Sequence, residues 1–212
     1  MHLVGDRSLG VFLLCLLGLL VAAKWRATGS VLDERPDARR LVRVVNAFNL
    51  TFLLVVNPVA AALLLAGRLE AWDVTRVALP WPRLLVTVEA LGIATYVAGC
   101  GLMMWALLTL SSSYQLGGMA PRPQDALVTG GPYALVRHPM YAAALAMVLG
   151  LTLALQSLGC FAVFVVYLVL LSFLMPQEEA GLRSAYGETY ESYARSVPRL
   201  IPLAPRAAAT RH

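Results

Sequence analysis

Long apolar runs separated by polar connections are the dominant pattern along this chain of 212 residues. Five such runs occupy residues 9–23, 41–67, 84–110, 140–155 and 159–175. A helix needs about 17–25 residues to cross the hydrocarbon of a bilayer, so each run predicts a membrane helix, the first of them short. Asn46, Asn49 and the Asn57-Pro58 pair interrupt the second run. Such a proline is tolerated in a membrane span because neighbouring groups satisfy the freed backbone. The third run carries Glu89, Gly92, Gly99 and Gly101, and small residues let membrane helices approach closely. The fourth and fifth runs meet around Gln156-Ser157, so they form an antiparallel hairpin. The first run is not a signal peptide on this reading, because Lys24 and Arg26 follow it and only Arg7 precedes it. It is expected to be a retained helix with its N-terminus outside.

Composition strengthens the membrane assignment. The chain is 59% hydrophobic and 14% charged, against about 45–50% and about 25% in an ordinary soluble domain. That excludes a water-soluble fold and a disordered chain. A net charge of +5 could suggest nucleic acid, but the basic residues form no dense cluster with interleaved aromatics; no nucleic-acid partner is expected. The 17 basic residues instead divide by side of the membrane. With five spans, four of them (Arg7, Arg68, Arg76 and Arg83) fall on one side and thirteen on the other. Basic connections stay in the cytoplasm, so the connections 24–43 and 111–139 and the C-terminal tail are expected to be cytosolic, as in a bacterial inner membrane. Cys15, Cys100 and Cys160 lie in or beside apolar runs with no CxxC spacing. They read as small buried hydrophobes, and no metal site is expected.

Chemistry is therefore expected in two cytosolic segments, since loops longer than about 12–15 residues are usually functional. The connection 111–139 ends in a Gly130-Gly131-Pro132 turn signal followed by Tyr133, Arg137, His138, Pro139 and Tyr141. Pro139 suits the first turn of the fourth helix, which puts Arg137 and His138 at its N-terminus. These residues and the two tyrosines also suit a plain headgroup-contacting cluster. After the fifth run, Pro176 is placed to start a new helix, with Glu178 and Glu179 complementing its dipole. Leu182, Tyr186, Tyr190, Tyr193 and Val197 then follow at offsets of three and four, the face of an amphipathic helix that ends at Pro198.

In combination these segments form an ordered series. Leu-Val-Thr-Gly-Gly-Pro-Tyr (127–133), Arg-His-Pro-Met-Tyr (137–141), Glu178-Glu179, Tyr-Gly-Glu-Thr-Tyr-Glu-Ser-Tyr (186–193) and Val-Pro-Arg-Leu-Ile-Pro (197–202) occur in order. The series resembles the isoprenylcysteine carboxyl methyltransferase and phospholipid N-methyltransferase superfamily of integral membrane enzymes, over about residues 90–202. The resemblance implies an all-α membrane fold of about five transmembrane helices, in which a cytosolic connector loop and a C-terminal amphipathic helix enclose S-adenosyl-L-methionine. Residues 1–83 are then an N-terminal pair of helices with their connections. Residues 84–212 are the methyltransferase core, made of helices three to five, the cofactor loop 111–139 and a C-terminal helix 176–197. By the family motif, Leu127 and Val128 contact the cofactor through backbone groups, and Tyr133 does so through its ring. His138, Pro139 and Tyr141 line its pocket, and Glu178 binds its polar end.

The side-chain chemistry agrees with that assignment. Glu178 can accept from the cofactor's ammonium or hydroxyls, Arg137 or the helix N-terminus can face its carboxylate, and aromatic faces can sit beside the sulfonium. Arg137, His138 and Glu179 are the candidate catalytic residues, with His138 or Glu179 as base for an acceptor that must lose a proton. The acceptor is expected to be a lipophilic small molecule or lipid: a prenylcysteine-like carboxylate, a lipid amine or a hydrophobic thiol. Two departures bear on that choice. Asp125 stands where the prenylcysteine enzymes often have His, and Leu174 stands where they have an Arg that holds the substrate carboxylate. Glu89 either snorkels toward the Trp81–Arg83 interface or lines a substrate groove. A sterol-reductase-like membrane oxidoreductase and a non-catalytic membrane scaffold are the competing readings.

Overall fold

The computed structural model describes residues 4–29, 40–77, 79–110 and 126–202. Residues 111–125 of the expected cofactor loop, with Asp125, and the tail beyond Pro202 lie outside the described residues. The described chain is α-helical, and the pairing of Arg76 with Ser157 is an isolated bridge. The helices are α1 (Asp6–Thr28), α2 (Arg40–Thr51), α3 (Asn57–Leu65), a single turn α4 (Leu69–Trp72), α5 (Pro82–Leu110), α6 (Pro139–Leu155), α7 (Leu158–Tyr186) and α8 (Glu188–Ser196). Four stretches are long and apolar enough to cross a membrane: Asp6–Ala27, Arg40–Leu65, Pro82–Leu110 and Leu158–Tyr186. Pro139–Leu155 is a shorter apolar helix. The five apolar runs are thus five apolar helices or helical stretches in an all-α membrane fold.

The Asn57-Pro58 pair does not break the second span. One wider π-helical turn, Phe52–Val56, joins α2 to α3. The Phe52 carbonyl accepts from both the Asn57 backbone amide and Asn57 Nδ2, the latter at 2.9 Å, so the side chain reinforces the wide turn just before the proline. Its Oδ1 in turn accepts from the buried Tyr96 hydroxyl at 2.6 Å. A polar residue that looked like an interruption ties this span to α5.

The tightest helix pair is α5 with α6. A Cβ on Gly92 would run into the backbone of Ala154 and Gly150, and one on Gly150 into the backbone of Tyr96 and Gly92. Without side chains at these positions the two backbones touch, and dispersion contacts accumulate along the whole interface. α6 then turns into α7 through Gln156, whose φ of 53° lies in the left-handed region, and Ser157 Oγ accepts from the Cys160 amide.

Two expectations change here. The C-terminal helix does not begin at Pro176, because α7 runs through that proline without interruption to Tyr186. The break falls at Gly187, which adopts φ 54° and ψ −128°, a conformation only glycine enters at low cost. Pro176 costs one backbone hydrogen bond, but Leu171, Leu174 and Met175 are buried just before it and Glu179 just after it. Packing on both sides holds the helix axis. Glu178 and Glu179 are therefore mid-helix residues, and a first-turn dipole effect does not explain them. Glu89, in turn, does not snorkel. It is 1% exposed, and its carboxylate accepts from the Val4 backbone amide at 3.2 Å, because the start of α1 packs over it.

Candidate functional site

At one end of the bundle the segment 127–138 meets the C-terminal part of α7, α8 and the irregular stretch 197–202 after it. Gly131 opens a short 3₁₀ turn, Gly131–Ala134. It has φ 59°, and a Cβ there would press on Thr109 near the end of α5, so both conformation and space require glycine. The turn delivers Arg137 and His138 to the N-terminus of α6, where His138 is the cap residue and Pro139 follows inside the first turn. That placement is as the sequence implied. Two backbone hydrogen bonds then fasten the segment to the C-terminal chain: the Arg137 amide donates to Pro198 O at 2.8 Å and the His138 amide to Arg199 O at 3.0 Å. Tyr193 of α8 adds a third tie, donating its hydroxyl to the Tyr133 carbonyl at 2.6 Å.

Glu179 is the centre of the charges here. Its side chain is 0% exposed and gathers cations from three parts of the chain. Arg137 donates through Nη2 at 2.9 Å and Nε at 3.2 Å to Oε1. Arg199 donates through Nε to Oε1 at 2.9 Å and through Nη2 to Oε2 at 2.8 Å. His138 Nε2 lies 3.3 Å from Oε1, and Arg183 Nη2 lies 3.6 Å from Oε2. A buried carboxylate is tolerated only when paired and hydrogen-bonded in this manner. Arg137 spends its remaining donor on backbone, with Nη1 bonding the carbonyls of Ala194 and Val197. Its guanidinium is thus committed to protein groups. Glu179 also holds the Arg199 guanidinium above its ordinary pKa through their hydrogen bonds.

Glu178 is the opposite case. Its side chain is 20% exposed and its Oε2 lies 3.7 Å from His138 Nδ1. That oxygen is itself buried and has no hydrogen-bond partner. His138 therefore sits between two carboxylates, one saturated and one with acceptor capacity to spare. The His138 and Tyr141 rings stack with centroids 5.5 Å apart. Leu127 and Val128 are half-buried, as is Tyr133, while Pro139 is buried. The structure thus brings Tyr133, Arg137, His138, Pro139, Tyr141, Glu178 and Glu179 to the same end of the bundle. Leu174, one turn before Glu178, is buried in the apolar core.

Sequence reasoning missed two members of this arrangement. Arg199 was visible only as part of a Val-Pro-Arg-Leu-Ile-Pro string; its pairing with Glu179 twenty positions away is a tertiary fact. Arg183, one of the basic residues after the fifth run, reaches Glu179 one helical turn back at 3.6 Å and Glu191 of α8 at 2.8 Å. The i,i+4 spacing of Glu179 and Arg183 was a usable signal. Among the described residues no group of three or more His, Cys, Asp or Glu is placed to hold a metal ion.

Residues 87–189 match the family model described as phospholipid methyltransferase. Three curated relatives are similar to this chain. The cobalt-zinc-cadmium resistance protein CzcN of Cupriavidus metallidurans is 34% identical over 70% of this chain and 60% of its own length. The protein-S-isoprenylcysteine O-methyltransferase of Schizosaccharomyces pombe is 42% identical over 37% of this chain and 34% of its own length. The nickel-cobalt-cadmium resistance protein NccN of Alcaligenes xylosoxydans xylosoxydans is 28% identical over 70% of this chain and 62% of its own length. The matched segments thus span less than two thirds of each of these relatives.

Proposed function

We propose that this chain, whose residues 87–189 match the phospholipid methyltransferase family model, is a membrane methyltransferase that uses S-adenosyl-L-methionine and acts on a lipophilic acceptor. The observation that carries this reading is the buried Oε2 of Glu178, which has no hydrogen-bond donor and lies 3.7 Å from His138 Nδ1. A buried carboxylate oxygen without a donor costs about 1–3 kcal/mol or more, a cost that a bound ammonium or hydroxyl donor would remove. The residues around it suit that ligand. Glu178 takes its cationic amino-acid end, Leu127 and Val128 approach it along the chain before the 3₁₀ turn, and Tyr133, His138, Pro139 and Tyr141 provide ring faces and apolar walls. S-adenosylmethionine, when bound, supplies an electrophilic methyl group.

The chain's own residues then divide the work. Glu179 is a positioning residue: it holds Arg137, His138 and Arg199 at once, and through them it joins the segment before α6 to the C-terminal stretch. Arg137 positions too, since its donors go to Glu179 and to the carbonyls of Ala194 and Val197. His138 Nδ1, the ring nitrogen away from Glu179, is the atom able to take a proton from an amine or thiol acceptor; an ionised carboxylate needs no such base. Methylation by an enzyme of this kind gains chiefly from orientation, which these buried pairs provide. In the same reading residues 84–212 form the catalytic core and residues 1–83 the accessory pair of spans. The site faces the cytosol, on the side bearing thirteen of the 17 basic residues. α6, with 17 residues, is about 25 Å long against a hydrocarbon core of about 30 Å, which leaves the site within reach of an acceptor dissolved in the membrane.

Calorimetry with S-adenosylhomocysteine on the detergent-solubilised protein tests the cofactor. Saturable binding is expected, and no heat from well-folded protein would overturn the reading. Incubation with methyl-labelled cofactor and a membrane-lipid extract then identifies the acceptor. Base-labile label marks an ester, and stable label marks an amine or thioether. No labelled product at all would return the protein to the scaffold reading.

A further inference from the structure

Tyr190 lies on α8, and the residue is only 1% exposed. Its ring is fixed on two sides, by the Arg183 guanidinium at 5.9 Å from the centroid and by the edge of Tyr193 at 6.1 Å. Its hydroxyl, however, is buried and has no hydrogen-bond partner. A buried hydroxyl left in that state is unfavourable, and phenylalanine would fill the same space without the cost. The Arg183 guanidinium that lies over this ring also lies 3.6 Å from Glu179 Oε2, so Tyr190 borders the charge cluster of Glu179, the chain neighbour of Glu178. The Tyr190 hydroxyl is an unused donor and the Glu178 oxygen an unused acceptor. Burial, reinforced by the Glu179 charge, pushes the phenol up to about 12, so it keeps its proton and can donate at neutral pH. Arg137, the cation that would otherwise face a ligand carboxylate, is already committed to Glu179 and two carbonyls.

We propose that Tyr190 is a ligand-binding residue of this site, whose hydroxyl donates to the carboxylate of a ligand's amino-acid end while Glu178 accepts from the ammonium of the same end. The inference rests on the preceding reading of the site as a cofactor pocket, and goes beyond it by assigning a donor for the anionic group. Tyr190 and Glu178 sit on different helices, α8 and α7, on either side of the Gly187 break, so binding of an α-amino-acid group bridges that break.

The test compares Tyr190→Phe with wild type using two probes in calorimetry, S-adenosylhomocysteine and 5′-methylthioadenosine, which shares the nucleoside but lacks the amino-acid end. Tyr190→Phe is expected to weaken S-adenosylhomocysteine binding by about tenfold and leave methylthioadenosine binding unchanged. The Tm of the ligand-free variant should be equal to or above wild type, which a purely structural hydroxyl would not produce. Equal affinity of wild type and variant for S-adenosylhomocysteine would overturn the proposal, and so would an equal loss for both probes. If wild type binds neither probe, the cofactor reading itself falls and takes this inference with it. If wild type binds S-adenosylhomocysteine and the variant matches it, only the role of Tyr190 falls.

Discussion

Where the α4–α5 connection packs on the α6–α7 turn, polar groups are paired across the contact. Thr75 Oγ1 donates to Asp73 at 2.6 Å and accepts from the Gly159 amide at 2.8 Å. Arg76 Nε donates to the Leu155 carbonyl at 3.0 Å, and the Val77 amide to Gln156 O at 2.8 Å. Among the described residues there, Gln156 Nε2 is the side-chain group left buried without a partner. At the opposite ends of the same two helices, Glu179 collects Arg137, His138, Arg183 and Arg199, while the Glu178 oxygen and the Tyr190 hydroxyl have no hydrogen-bond partner. The first end satisfies loop backbone and closes the bundle. The second concentrates partners on one carboxylate and leaves an oxygen of its neighbour without a hydrogen-bond donor, an arrangement that suits the proposed binding role.

The largest effect expected from breaking this contrast is Glu179→Ala. Removing the central carboxylate leaves Arg137 buried and His138 without its Nε2 partner. Loss of one member of a buried pair typically costs about 3–5 kcal/mol. A large fall in Tm and loss of S-adenosylhomocysteine binding together are expected; a variant as stable as wild type would show that Glu179 is not what joins the two segments. Next comes Gly150→Ala. Its added methyl meets the backbone of α5, and overpacking of this sort costs about 1–3 kcal/mol. Gly101→Ala on α5, where the methyl meets nothing within 4 Å, should leave the thermal unfolding curve unchanged and serves as the comparison.

Glu178→Gln should show the reverse balance: little change in Tm, and S-adenosylhomocysteine binding weakened by about tenfold in calorimetry, the scale of a hydrogen bond to a charged group. The smallest expected effect is at the other end of the bundle. Thr75→Ala removes bonds to Asp73 and to the Gly159 amide, for about 0.5–1.5 kcal/mol, and should lower Tm slightly while leaving ligand affinity unchanged. If Thr75→Ala weakened binding as much as Glu178→Gln, the separation of the two ends would not hold.

Much of the fold was legible because hydropathy is a property of consecutive residues. Each of the five apolar runs is an apolar helical stretch, and Pro139 sits in the first turn of α6 with His138 as its cap. Pro176 shows the limit of the same reasoning. By local rules it starts a helix; in the structure it lies inside α7, because burial of Leu171, Leu174 and Met175 outweighs one missing backbone hydrogen bond. Glu89 is similar. Its exposed and groove-lining alternatives both followed from its place in a span, yet its location was settled by the start of α1, 85 positions away, which supplies the Val4 amide.

The order of the motifs, the membrane environment and the residue types brought to the site follow from the amino-acid sequence alone, since they depend on composition, spacing and local backbone preference. Which of two adjacent glutamates is saturated and which is open depends on the tertiary structure. Arg137 reaches Glu179 from 42 positions away and Arg199 from 20, and a charge buried away from water takes its partners from whatever the packing places beside it. Glu178 and Glu179 are chemically identical neighbours, and they differ in what the fold puts beside them: Glu179 is ringed by cations, while Glu178 Oε2 faces His138 with no hydrogen-bond donor.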